Sequence, residues 1–169
     1  MNCWRGRGRA AAAAEDRCSR PDCVFCSIVA NGGETGRPLL HEDAHCVAFY
    51  DRSPAAALHI LVVPRLHVAN CAQLRGGPDE ALAAHLLSVG RRLLEKHGAF
   101  GAETQLGYHQ APFTSVNHLH LHCFSLPWKP WKALKYPAAP AEADWCLPWY
   151  LSAEQLAQVR CRCGSSKTA

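Results

Sequence analysis

Between residues 118 and 124 the chain reads HLHLHCF, with histidines and apolar side chains alternating from His118 to Cys123. A β-strand sends successive side chains to opposite faces, so a period of two predicts a strand here. His118, His120 and His122 would share one face, and Leu119, Leu121 and Cys123 the other. On a helix the same histidines would spread around most of the circumference. The leucine face is expected to enter a core and the histidine face to line something polar, as in an antiparallel sheet with one working face.

The pattern elsewhere supplies the remaining elements. CVFCSIVANGG, from Cys23, predicts a short helix stopped by Asn31-Gly32-Gly33. PLLHED and HCVAFYD predict two short strands joined by a tight turn. ALHILVVP is nearly continuous apolar and predicts a central strand, ended by Pro64. Residues 78–97 predict the main helix: Pro78 opens it, Asp79 and Glu80 suit the helix dipole, and Gly98 ends it. Its buried stripe is Leu82, Leu86, Val89 and Leu93. ETQLGYHQ and VNHLHLHCFS predict the last two strands. After Ser125 the sequence becomes rich in Pro and Trp and predicts an ordered loop. LSAEQLAQVR then predicts a short helix, with Ser152 and Gln155 as a capping box.

Strands, one long helix and then strands predict an α+β fold. The expected architecture is an antiparallel sheet of about five strands with one long and one short helix. Residues 1–21 are expected to be a disordered tail and 22–126 the folded domain. Residues 127–169 would form a C-terminal extension with a short helix and a disordered end.

Composition narrows the class less than the pattern does. The chain has 169 residues and 49% hydrophobic content, enough for one domain with a real core. A formal net charge of +4 suits an anionic small ligand as well as it suits nucleic acid. No apolar run reaches the length of a membrane span. The five alanines from Ala10 to Ala14 are too few for a secretory signal. The stretch before Glu15 is Arg-rich and free of acids, so mitochondrial import stands as a minor alternative to a cytoplasmic and nuclear location. The ten cysteines fall at irregular spacings and read as reduced thiols rather than a disulfide frame.

Three histidines in a row allow two chemistries. They could chelate a metal with a carboxylate or thiol from elsewhere. Alternatively, neutral imidazole is a good nucleophile toward phosphorus, and its neighbours could hold the phosphate oxygens and the leaving group. Three histidines on a merely solvated face would not need to alternate with leucine.

HLHLHCF resembles the His-φ-His-φ-His-φ-φ signature of the histidine triad superfamily of nucleotide hydrolases and transferases. CVAFYDRSPAAALHILVVPRLHVANC resembles the segment in which that family carries its ribose carboxylate and a fourth histidine. The resemblance runs from about Cys23 to Phe124. GYHQAPFTSVNHLHLH and WYLSAEQLAQVR resemble the histidine triad nucleotide-binding protein 3 branch, whose activity is that of an adenosine 5′-monophosphoramidase.

The resemblance implies a role for each position. His120 would attack the α-phosphorus of an adenylate and carry AMP as a covalent phosphohistidine, which water then hydrolyses. His122 would contact the phosphate, His118 and His59 would support the row, and Ser115 would donate a hydrogen bond to the phosphate region. Asp51 would accept both ribose hydroxyls, a task for which a carboxylate has enough acceptor sites. Phe25, Ile28 and Phe49 would build the apolar slot for the base, or serve as plain core. Two departures stand out. Arg52 replaces an aliphatic residue after the ribose aspartate and places a cation at the rim of the base slot. Thr114 stands where many relatives have glutamine, and His109 would partly substitute as a phosphate donor.

Cys23 and Cys26 form a C-x-x-C pair, which alone is a weak metal signal. Some bacterial members bind zinc through such a pair with two histidines, here matched to His59 and His118. Phosphoramidase members fold without metal, so no cofactor is required and a structural zinc is the alternative. Expected ligands are purine nucleoside monophosphate conjugates, including aminoacyl-adenylates. Dinucleoside polyphosphate hydrolysis, hydrolysis of 5′-adenylated nucleic acid and a non-catalytic nucleotide-binding scaffold are the competing readings. The nucleic-acid reading is disfavoured because Cys161 and Cys163 form no zinc finger with histidines. The family pairs two domains edge to edge, so a homodimer or larger homo-oligomer is expected.

Overall fold

The computed structural model describes residues 19–32, 38–74, 77–110, 113–136, 150–153 and 156. Most of the expected N-terminal tail, most of the expected helix after Ser152, and Cys161 and Cys163 lie outside the described residues.

The elements follow in the order α1 (Val24–Asn31), β1 (His41–Glu42), β2 (Cys46–Tyr50), β3 (Ala56–Pro64), α2 (Pro78–Lys96), β4 (Thr104–His109), β5 (Leu121–Trp128) and β6 (Tyr150–Ser152). The six strands form one sheet in the order β1-β2-β3-β5-β4-β6, and every neighbouring pair is antiparallel. The α+β class and the two helices agree with the sequence pattern. To the five strands read from the sequence the structure adds a sixth, β6, which pairs with β4 at the sheet edge. PLLHED also yields only the two residues of β1.

The two faces of the sheet carry separate cores. On one, Leu86, Val89, Leu93 and Leu94 of α2 pack against Ile60, Val62, Leu106, Leu121 and Cys123. Burying each of these α2 side chains stabilises the fold by about 1.5–3 kcal/mol. The helix lies close because residue 90 is glycine; a Cβ there would stand 2.6 Å from the Cys123 sulfur. On the other face, α1 contributes Phe25 and Ile28 to a cluster with Val47, Phe49, Leu61 and Val63. Beside it, Phe124, Tyr136 and Tyr150 gather on Ala55 and Ala56. Asp43, in the β1–β2 turn, accepts from His41 and from His85 of α2, which ties that hairpin to the helix layer. Among the described residues no helix is long and apolar enough to cross a membrane.

The alternation at 118–124 holds, but only partly as a strand. Leu119, Leu121 and Cys123 are buried in the α2 core. β5 begins at Leu121, so His118 and His120 precede it. The reason is a competing partner: the Leu119 N–H donates to the Val68 carbonyl at 2.5 Å, outside the sheet ladder. The segment after Ser125 is more regular than expected. β5 continues to Trp128, and a 3₁₀ segment covers Pro130–Lys135.

Candidate active site

The histidine row sits at the sheet centre, where β3 and β5 pair with Leu61 opposite His122 and His59 opposite Phe124. His59, His109, His118, His120 and His122 are all buried. Their hydrogen bonds fix which ring nitrogen carries each proton. The Ala55 N–H donates to His59 Nδ1 at 3.3 Å, so in the neutral ring the proton is on Nε2. His59 Nε2 therefore donates to His122 Nδ1 at 2.9 Å. His122 Nε2 in turn donates to His109 Nδ1 at 3.1 Å, and His109 Nε2 donates to the Lys135 carbonyl at 3.3 Å. Three imidazoles thus form one chain with a single direction, bounded by a backbone amide and a backbone carbonyl.

His120 stands outside that chain. Its Nδ1 donates to the His118 carbonyl at 2.6 Å, which leaves the Nε2 lone pair available. Its ring meets the edge of Phe25 with centroids 5.1 Å apart and that of His122 at 4.7 Å. A histidine phosphorylated on Nε2 carries positive charge, and a carbonyl held on Nδ1–H stabilises it.

Burial keeps the row neutral. It lowers His59 and His109 to about 4, and Asp51 opposes the shift in both. Burial likewise lowers His120, and lowers His122 well below the ordinary histidine value. The Lys135 ammonium adds to the lowering of all four, while Asp51 opposes it at His120 as well. Neutral imidazole is the nucleophilic form, so the site is primed near pH 7.

Asp51 follows β2 directly. One of its carboxylate oxygens accepts from the Ser53 N–H at 2.6 Å, and the other lies 3.6 Å from His59 Nε2. Its side chain is 19% exposed, which leaves the carboxylate reachable beside the row. Phe25, Ile28 and Phe49 are buried together, with the edge of Phe25 on Phe49 at 5.8 Å and on both His118 and His120. Arg52 is exposed at the rim, and Ser115 and Thr114 lie on the bent segment leading into the row, Ser115 exposed and Thr114 half-buried.

The metal set expected from sequence needs one correction. His59 faces Asp51 and His122, not the thiols. The fourth member beside Cys23, Cys26 and His118 is His67. Its ring lies 4.8 Å from that of His118, and its Nδ1 is 3.3 Å from the Cys26 sulfur. His118 Nδ1 is 3.4 Å from the Cys23 sulfur and 3.5 Å from that of Cys26. His118 Nε2 donates to the Pro64 carbonyl at 3.0 Å, so Nδ1 presents its lone pair to the thiols. Tetrahedral zinc bonds of about 2.3 Å to sulfur and 2.0–2.1 Å to nitrogen imply sulfur–nitrogen separations of about 3.5 Å. Two thiols and two imidazoles at these spacings fit that ion.

Two further residues at the site had little sequence signal. Tyr136 is buried, and its ring lies 4.9 Å from His109, 5.4 Å from His122 and 5.9 Å from His59. It stacks on Trp128 at 5.3 Å with planes 11° apart. Lys135 closes the imidazole chain through its carbonyl. Both sit in the Pro- and Trp-rich stretch, where no periodicity marks a function. For His67 the signal was present, as the second histidine of HILVVPRLH.

The family described as scavenger mRNA decapping enzyme C-term binding matches residues 22–134. The chain is 48% identical over 116 residues to the bifunctional adenosine 5′-phosphosulfate phosphorylase/adenylylsulfatase HINT4 of Arabidopsis thaliana, covering 68% of this chain and 77% of that protein. It is 42% identical over 101 residues to the adenosine 5′-monophosphoramidase HINT3 of Xenopus tropicalis, covering 59% of this chain and 65% of that one. Among solved structures, a histidine triad protein from Clostridium difficile is similar at a TM-score of 0.60 and 27% identity, over 67% of this chain and 97% of that one. The matched region contains the whole histidine row and strands β1 to β5, and the chain belongs to the histidine triad superfamily.

Proposed function

We propose that the protein hydrolyses conjugates of AMP, with His120 as the nucleophile that carries AMP covalently. The observation that carries this reading is the His120 ring itself: Nδ1–H is committed to the His118 carbonyl, and Nε2 is left with a lone pair in a buried, neutral row. His120 Nε2 attacks the α-phosphorus, the bond to the leaving group breaks, and its electron pair leaves with that group. Water then attacks phosphorus, the N–P bond breaks and AMP departs. His122, whose ring lies against that of His120 and whose Nε2–H is held by His109, borders the phosphate, Asp51 accepts the ribose hydroxyls, and Ser115 assists at the phosphate. Phe25, Ile28 and Phe49 flank the base.

The first substrate class is phosphoramidates, in which the broken bond is P–N; the similarity to the HINT3 phosphoramidases supports it. A second reading, sulfate as the leaving group, is supported by the 48% identity to the Arabidopsis protein. The test is rapid quench with adenylates labelled in the AMP moiety. Label retained on protein in acid-labile linkage, and lost in His120→Asn, supports the reading; turnover without such an intermediate ends it.

We further propose that Cys23, Cys26, His67 and His118 hold a structural zinc ion. It would cross-link α1 to the segments that flank β3 and β5, and it would fix the His118 ring. The His118 carbonyl, the acceptor for His120, lies on the residue so held.

A further inference from the structure

The segment that follows β5 carries Lys129, Lys132 and Lys135 within LPWKPWKALKY, which contains no acidic residue. It is fastened across the site at several points. The Lys129 N–H donates to the Ala55 carbonyl at 2.8 Å, and the Lys132 N–H donates to the Lys129 carbonyl at 2.8 Å. The Lys132 ammonium donates to Ser53 Oγ at 3.2 Å, two residues beyond Asp51. The Lys135 carbonyl receives His109 Nε2–H. Its ammonium lies 5.6 Å over the Tyr136 ring, which packs on His109 and His122. Lys135 is exposed and Lys132 is half-buried. Two cations are therefore held around the site, Lys135 on the side of His109 and His122 and Lys132 at Ser53, near Asp51.

The row offers little else to a departing group. Its imidazole chain begins at a backbone amide and ends at a backbone carbonyl, so no proton can be passed along it from solvent. Burial keeps His109 and His122 neutral as well. A leaving amine must pick up a proton as the P–N bond breaks. A leaving sulfate, the base of a strong acid, departs with the electron pair of the P–O bond and needs none. What it needs is positive charge where its own charge develops.

We propose that Lys132 and Lys135 are specificity-determining residues that favour adenylates whose leaving group departs as an anion. This rests on the AMP-transfer reading above. In the step concerned, His120 Nε2 forms the N–P bond, the P–O bond to sulfur breaks, and sulfate leaves as the dianion past the two ammonium groups. Water then cleaves the N–P bond, one of its protons goes to bulk solvent, and the electron pair returns to Nε2.

The experiment measures kcat/KM for adenosine 5′-phosphosulfate and adenosine 5′-phosphoramidate, on the full chain and on Lys132→Met, Lys135→Met and the double variant. The expected result is a fall of about ten-fold in the phosphosulfate-to-phosphoramidate ratio for the double variant, with charge-keeping Lys135→Arg restoring most of the loss at Lys135. The wild-type ratio should also fall between roughly 50 and 500 mM salt, as exposed charges are screened. An unchanged ratio, with both substrates lost in parallel or neither lost, overturns the proposal. A wild-type protein that turns over neither substrate ends the AMP-transfer reading and this proposal with it. Thermal unfolding of each variant separates a fold defect from a change in ratio.

Discussion

His120 donates from Nδ1 to the carbonyl of His118, two residues earlier, at 2.6 Å. One hydrogen bond from ring to backbone therefore decides which nitrogen of the central ring is free to attack. His120→Asn keeps a polar side chain but removes the nucleophile. Turnover of an AMP phosphoramidate should drop by at least about a thousand-fold while AMP binding changes little. Rate and affinity measured on the same preparation check this, and a variant within ten-fold of wild type would sink the covalent route.

His109 links His122 to the Lys135 carbonyl. His109→Ala leaves a buried N–H of His122 without its acceptor, at a cost of about 1–3 kcal/mol in stability. Freed from the chain, the His122 ring should also reorient, so kcat should fall more than KM rises. His109→Asn shortens the side chain but can accept and donate, and it should recover part of both losses. Denaturant unfolding together with steady-state kinetics would show it.

The zinc proposal puts His67 in the place that the sequence had given to His59. His67→Ala and Cys26→Ser should each lose the metal and lower Tm. His59→Ala should keep about one zinc per chain while losing activity, because His59 faces Asp51. Metal analysis of all three variants with their melting curves decides it; a zinc-free wild type of full stability would leave the thiols as α1 residues alone.

Acid should unfold the protein through its buried histidines. His59 and His109 titrate at about 4 in the folded chain against 6.5 for an ordinary histidine, chiefly because they are buried. Between those values the unfolded chain binds more protons, so stability is present above about 6.5 and is lost as pH falls toward 4. The two together should cost on the order of 3 kcal/mol between pH 7 and pH 5. Urea unfolding at several pH values measures the slope. His109→Asn should flatten it, and an equal slope in that variant would remove His109 from the account.

Asp51 is predicted to read the sugar. Asp51→Asn should raise KM for ribose conjugates by about ten-fold and should narrow the preference over 2′-deoxy conjugates. Matched kinetics on both sugars would show it, and an unchanged preference would mean that the carboxylate serves only the Ser53 turn and His59.

Much of this arrangement was legible in the chain because it depends on local periodicity. The leucines at 119 and 121 had to enter a core, and that alone turned the three histidines to one side. The α2 stripe was readable for the same reason. His67 was not assigned, because its partners Cys23, Cys26 and His118 come from distant segments; only the path of the chain after Pro64 brings them together. β6 was missed because three residues of edge strand carry no repeat, and Leu151 and Ser152 were read as the start of a helix. Its trace lay elsewhere, in Gly107 of β4, since a glycine inside a strand often marks another backbone coming close. Tyr136 had no such trace.

That glycine has a consequence for how such chains diverge. A Cβ at position 107 would stand 2.5 Å from the Tyr150 hydroxyl and 2.6 Å from the Leu151 carbonyl. His109, two residues on, pairs in register with Tyr150. A lineage that replaced Gly107 would have to give up its last strand or move it, and with it the wall beside His109. A larger residue at position 107 is therefore expected to cost the sheet its sixth strand and leave β4 as the edge.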